Sequence, residues 1–166
     1  MKEIGFIGLG NMGISMAKNL IENGFNLTGF DLNPKQLDTL KELGGTPVAT
    51  CKEVGEKADA VFIMVLSGAQ IKQALFGDSG LLASLKPGST IIVSATVHPS
   101  EIRELEQPIL DRGIHLVDTP VSGGKPGAEG GTLTLMTAAP QQVFDDIKPV
   151  LQAVGKNIFH VGEEVG

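Results

Sequence analysis

Three glycines near the start of the chain, Gly8, Gly10 and Gly13, constrain its fold more than any other feature. They follow a short apolar run, Glu3 to Gly8, and lead into Met12, Met16, Ala17 and Leu20, which recur at helical spacing until Asn23-Gly24. The pattern reads as strand, tight turn, helix. In such a turn the first glycine permits the tight geometry, the second lets a phosphate approach the backbone, and the third allows close helix-to-strand packing. The first amides of the helix, unpaired within it, face the phosphates with the positive end of the helix dipole behind them. Gly8, Leu9, Gly10, Asn11, Met12 and Gly13 are therefore the expected cradle for a dinucleotide pyrophosphate.

Asn26 to Asp31 reads as a second strand, Pro34 starts a helix through Leu43, and Gly44-Gly45 ends it. This completes a βαβ unit. Asp31 stands where the dinucleotide fold places an acid, roughly 20 residues after the glycines, to accept hydrogen bonds from the adenine ribose hydroxyls. A carboxylate there repels a 2′-phosphate, and no arginine adjoins it, so the expected cofactor is NAD. Asn33 and Lys35 keep NADP open, and replacing Asp31 by alanine is expected to improve NADP binding. The plainer alternatives are a βα turn without ligand and an ordinary strand-end acid.

Downstream, Ala60 to Leu66, Thr90 to Val93, Ile114 to Val117 and Thr132 to Thr137 are predicted strands, with a last short one at Ile158 to Val161. Helical stretches near Ser67 to Phe76, Pro99 to Arg112 and Pro140 to Val154 alternate with them. Near-continuous apolar strands such as Val61 to Leu66 suit a parallel sheet with both faces covered. The predicted fold is α/β, a doubly wound, Rossmann-type, mostly parallel sheet with helices on both faces. The run Gly123 to Gly131 reads as a long functional loop.

Other classes fit poorly. With a net charge of −6 and lysines and arginines scattered singly, the chain has no basic patch for nucleic acid or an anionic membrane. No apolar run approaches the roughly 20 residues of a membrane span, and no signal-peptide pattern opens the chain, so a cytoplasmic location is expected. Cys51 lacks the paired spacing of a disulfide, zinc or redox site and reads as a helix residue. His98, His115 and His160 lie on different elements without metal spacing, and suit a helix entry, a strand face and a strand end.

The opening GFIGLGNMG, together with Asp118-Thr-Pro-Val-Ser122-Gly123-Gly124, Gly127-Ala128, Gly131 and Leu133, resembles the β-hydroxyacid dehydrogenase family. That family includes 3-hydroxyisobutyrate dehydrogenase, tartronate semialdehyde reductase and 6-phosphogluconate dehydrogenase. The resemblance covers essentially the whole chain as the family's N-terminal domain. It implies hydride transfer between a nicotinamide cofactor and a small 3-hydroxy acid or the matching semialdehyde. It also places Met64, Val65 and Leu66 along the cofactor near its nicotinamide end, with Leu66 where many members have proline. Thr96, in Ser94-Ala95-Thr96-Val97-His98-Pro99, matches a cofactor-contacting threonine, and Ala95 replaces the usual serine. Ser122, Gly123 and Gly124 match the site of the substrate carboxylate, where a hydroxyl and exposed glycine amides can cradle an anion.

In the family, the residue that takes the substrate's hydroxyl proton is a lysine just beyond a Gly-rich linker, and an all-helical domain follows. Residues 1–161 are therefore expected to form the dinucleotide-binding domain and 162–166 to begin that linker, leaving the lysine, the helical domain and its usual dimer contacts beyond the chain end. The chain is expected to be inactive alone and to self-associate through surface that domain would cover. Lys125 is a poor substitute base, because an exposed lysine keeps a high pKa. Two other readings remain: a non-catalytic nucleotide-binding scaffold, and an NADP enzyme acting on a sugar-phosphate acid.

Overall fold

The computed structural model describes all residues, Met1–Gly166. Strand β1 (Glu3–Ile7) leads through the glycine turn into α1 (Asn11–Glu22) and then β2 (Asn26–Phe30). The two strands pair in parallel from Glu3 opposite Asn26 to Ile7 opposite Phe30. Parallel neighbours need a crossover, and the amphipathic α1 supplies it by burying Met16, Ala17 and Leu20. Next come α2 (Pro34–Glu42), the two-residue β3 (Thr46–Pro47), α3 (Cys51–Gly55), β4 (Ala60–Ile63) and α4 (Gly68–Leu75). The second half contains β5 (Thr90–Val93), α5 (Pro99–Leu110), β6 (His115–Asp118), β7 (Val121–Ser122) and α6 (Gly124–Gly130). It closes with β8 (Leu133–Ala138), α7 (Gln141–Val154) and β9 (Gly155–Gly162).

The strand order is β3-β2-β1-β4-β5-β6-β8-β7, with β9 also paired to β8. Every pairing from β3 across to β6 is parallel, whereas β8 runs antiparallel to β6 and β7. The architecture is the predicted Rossmann-type one. Winding reverses between β1 and β4, and in open α/β sheets ligands bind at such a switch point, outside the carboxyl ends of the strands. Alternate residues of the buried strands feed two cores. Phe6 and Phe62 stack at 5.4 Å on the face covered by α1 and α7, while Val61, Ile63, Ile91 and Val93 pack under α3, α4 and α5.

Several predicted boundaries change. The strand expected over Ala60 to Leu66 stops at Ile63, and Met64 to Leu66 form the turn that follows it. Strand β9 starts at Gly155 rather than Ile158. The elements β3 and α3 are too short to show a hydrophobic period: β3 is not anticipated by the sequence, and of α3 only Cys51 is read as helical, as it is. The larger correction concerns Gly123 to Gly131, expected as a long loop, most of which is the helix α6. Its glycines disfavour a helix, but packing overrides propensity here. Ala128 is fully buried, a Cβ on Gly127 would crowd the Leu133 side chain at 3.1 Å, and the Asn19 amide of α1 donates to the Ala128 carbonyl at 2.6 Å.

Beyond β9 the chain folds back. Val165 enters the second core, the Gly166 amide donates to Asp118, and Arg103 donates to the Gly166 carbonyl. No helix is long and apolar enough to cross a membrane.

Asn19→Ala should remove the buried bond that seats α6 and leave the Ala128 carbonyl only the long bond from the Gly131 amide at 3.4 Å, at a cost of about 2 kcal/mol. For a chain of this size the melting temperature should fall by roughly 4–8 °C, measured by circular dichroism. An unchanged melt would show that α6 docks without that bond.

Candidate cofactor site

The three glycines of the turn are glycine for different reasons. Gly8 has a φ of +93°, and a Cβ there would collide with the Met64 carbonyl oxygen at the end of β4. A Cβ on Gly13 would collide with the Gly8 carbonyl oxygen, so α1 can start against the turn only because position 13 has no side chain. Gly10 differs. Its φ of −67° suits any residue, and a Cβ there would meet nothing within 4 Å. The fold therefore demands glycine at positions 8 and 13 and leaves open space over position 10.

Gly10 is also the N-cap of α1, and no side chain caps the helix or places an acid in its first turn. Its leading amides are thus available to an anion. Leu9 is fully buried and Met12 half-buried against the first core, so their side chains face the interior, whereas Asn11 is exposed. The Leu9 amide donates to Asp31 Oδ2 at 2.7 Å, and the Asn33 amide donates to Asp31 Oδ1, also at 2.7 Å. The Asn33 side chain caps α2 by accepting from the Lys35 amide, which occupies it locally.

A cavity of about 670 Å³ opens over the switch point and brings together Gly8, Gly10, Asp31, Met64, Val65 and Leu66. That volume lies within the usual range for cofactor and small-molecule sites. Leu32 and Leu66, which follow β2 and β4, are 83% and 90% exposed and supply apolar surface to it. No lysine or arginine lines it.

The sequence reading missed Thr50, Gln70 and Gln73 on its wall. The i, i+3 spacing of the two glutamines on one helix face was the available signal. Gln70 Oε1 also accepts from the Leu66 amide at 2.7 Å, holding the turn after β4. Cys51 lines the cavity too, and burial pushes its thiol up to about 11, so it stays a neutral thiol.

Thr96, Ser122, Gly123 and Gly124 lie outside this cavity, farther along the same sheet edge. Thr96 follows β5 and is exposed, while Ala95 is 2% exposed and packs in the second core, so its methyl group serves packing. Ser122 is exposed opposite Thr134 on β8, and Gly123 and Gly124 take φ values of +132° and +59° at the start of α6.

The three histidines and Lys125 lie outside this cavity. His98 caps α5 in a capping box with Glu101, and His115 is exposed on β6. His160 stacks on Phe144 at 4.4 Å and hydrogen-bonds the Ala139 carbonyl. Lys125 is exposed and pairs with Glu129 at 3.7 Å.

Residues 3–162 match the family model described as the NAD binding domain of 6-phosphogluconate dehydrogenase. The chain is an NAD-binding domain of the β-hydroxyacid dehydrogenase family. It is 39% identical over 162 residues to the probable mitochondrial 3-hydroxyisobutyrate dehydrogenase of Dictyostelium discoideum, covering 98% of this chain and 50% of that protein. It is 36% identical over 164 residues to the NAD-dependent L-serine dehydrogenase of Pseudomonas aeruginosa, covering 99% and 55%. Among solved structures, the 3-hydroxyisobutyrate dehydrogenase of Salmonella typhimurium superposes with a TM-score of 0.94 at 33% identity, covering 100% of this chain and 58% of that one. The NAD-binding domain described here thus spans about half the length of the curated relatives it matches.

Asp118, in the Asp-Thr-Pro-Val-Ser motif, is half-buried. Burial pushes its carboxyl above the usual range, against the opposing hydrogen bond from the Gly166 amide. Protonation is therefore easier in the folded chain than in the unfolded one. The resulting stabilisation is complete below the unfolded carboxyl value, about 3.9, and is lost as pH rises through the higher folded value. Asp118→Asn, which keeps an acceptor without a charge, should melt above the native chain at pH 7, with the difference vanishing below about pH 4. A native chain that melts higher at pH 7 would mean that the Gly166 bond outweighs desolvation.

Proposed function

We propose that this domain binds NAD across the β1–β4 switch point and forms the cofactor half of a dehydrogenase acting on a small 3-hydroxy acid. The observation that carries the reading is Gly10, where the fold leaves room for a side chain and the sequence supplies none. A phosphate approaching the uncapped amides of α1 would occupy that space. NAD is favoured over NADP because Asp31 faces the cavity and no cationic side chain lines it to meet a 2′-phosphate.

When bound, NAD supplies a hydride acceptor at its nicotinamide ring. The chain's own part is orientation. The cavity around Asp31 and Leu32 holds the adenosine end, and Met64, Val65, Leu66 and Thr96 direct the nicotinamide end along the sheet edge toward Ser122. The Ser122 hydroxyl and the Gly123 and Gly124 amides take the substrate carboxylate. The relatives' names supply the substrate class, since each acts on a small hydroxy acid or hydroxy amino acid.

We further propose that residues 1–161 are the cofactor domain, that 162–166 open the connection to a second, helical domain, and that the chain is inactive alone. The three histidines and Lys125 are engaged or exposed elsewhere, which supports the last point.

Calorimetric titration should show saturable NAD binding. Gly10→Val should abolish it or weaken it by at least about tenfold, or 1.4 kcal/mol, with the melting temperature nearly unchanged. Gly13→Ala should instead destabilise the fold by about 1–3 kcal/mol through overpacking. Undiminished NAD affinity in a folded Gly10→Val chain would refute the site.

A further inference from the structure

We propose that Asp31 is a positioning residue for the pyrophosphate turn, so that one carboxylate ties recognition of the ribose to recognition of the phosphates. The inference deepens the cofactor reading and rests on it. The parallel ladder between β1 and β2 ends at Ile7 and Phe30, and the Gly8 amide adds one further bond to the Phe30 carbonyl at 3.0 Å. Strand β2 ends there. The Leu9 amide instead donates to Asp31 Oδ2, a side chain extending the ladder into the turn.

The second carboxylate oxygen is held by the Asn33 amide, which fixes the plane of the group. The Leu9 side chain is fully buried, and its Cδ1 lies so close to Gly29 that a Cβ there would stand 3.2 Å away. Leu9 is thus fixed at its amide and at its side chain. The next residue is Gly10, which lines the cavity and is the N-cap of the uncapped α1. An ionised carboxylate offers about four acceptor positions, so two remain for ribose hydroxyls.

This changes what substitution of Asp31 should do. Removing the carboxylate relieves its repulsion of a 2′-phosphate but also releases the amide that sets the phosphate turn. Asp31→Ala should therefore not bind NADP more tightly than the native chain, contrary to the expectation from the sequence.

The test compares adenosine, ADP, NAD and NADP on the native chain, Asp31→Ala and Asp31→Asn by calorimetry and amide-resolved NMR. The gain in affinity from adenosine to ADP isolates the phosphate turn from the ribose contact. That gain should fall at least about fivefold in Asp31→Ala and largely recover in Asp31→Asn, whose amide oxygen can still accept from Leu9. Hydrogen exchange at the Leu9 amide should be faster in Asp31→Ala than in Asp31→Asn. An equal loss for adenosine and ADP in Asp31→Ala, or tighter NADP binding than in the native chain, would overturn the proposal while leaving NAD binding intact. Failure of the native chain to bind ADP or NAD would overturn the cofactor reading itself.

Discussion

The ends of β1 and β4 approach so closely that the backbone of residue 8 lies against the carbonyl of Met64, and only glycine fits there. The same economy of space recurs one turn later, where Gly13 lies against the Gly8 carbonyl. These two contacts let α1 rise directly from the crevice between β1 and β4, so the positive end of its dipole points where the strand order reverses. The rest of the site is arranged around that point. Asp31 reaches it from β2, and Met64 and Val65 reach it from β4. A shift of α1 by one side chain's width would separate the turn from both.

The rim of the cavity is held by side chains bonded to backbone amides. Asp31 fixes Leu9 on one side, and Gln70 fixes Leu66 on the other. Loops usually have the least fixed geometry in a domain, and these bonds place two of them without ligand. The Ser122 edge differs, because its serine and two glycines are exposed and lie outside the cavity lined by Gly10 and Asp31.

Much of this was legible in the sequence because it depends on local rules. The glycine triplet is tied to backbone sterics, and the strands Thr90 to Val93 and Ala60 to Ile63 to continuous burial, and both kinds of signal survive in a single sequence. Asp31 was found by position, but its bond to Leu9 was not, because that bond depends on how two turns far apart in sequence meet. The helix α6 was misread for a related reason. Its glycines suggest a loop until Asn19 and Leu133 supply the packing that favours the helix. Gln70 and Gln73 carried only a weak spacing signal, since polar residues on an exposed helix face are common.

The central claim is that the open backbone over Gly10 is where the cofactor's phosphates bind. The most direct measurement is an amide-resolved NMR titration of the ¹⁵N-labelled chain with NAD. The largest saturable shifts should fall on the amides of Gly10, Asn11, Met12 and Gly13, with smaller ones at Leu32 and Leu66. Shifts concentrated away from that turn, or none at saturating NAD, would contradict it.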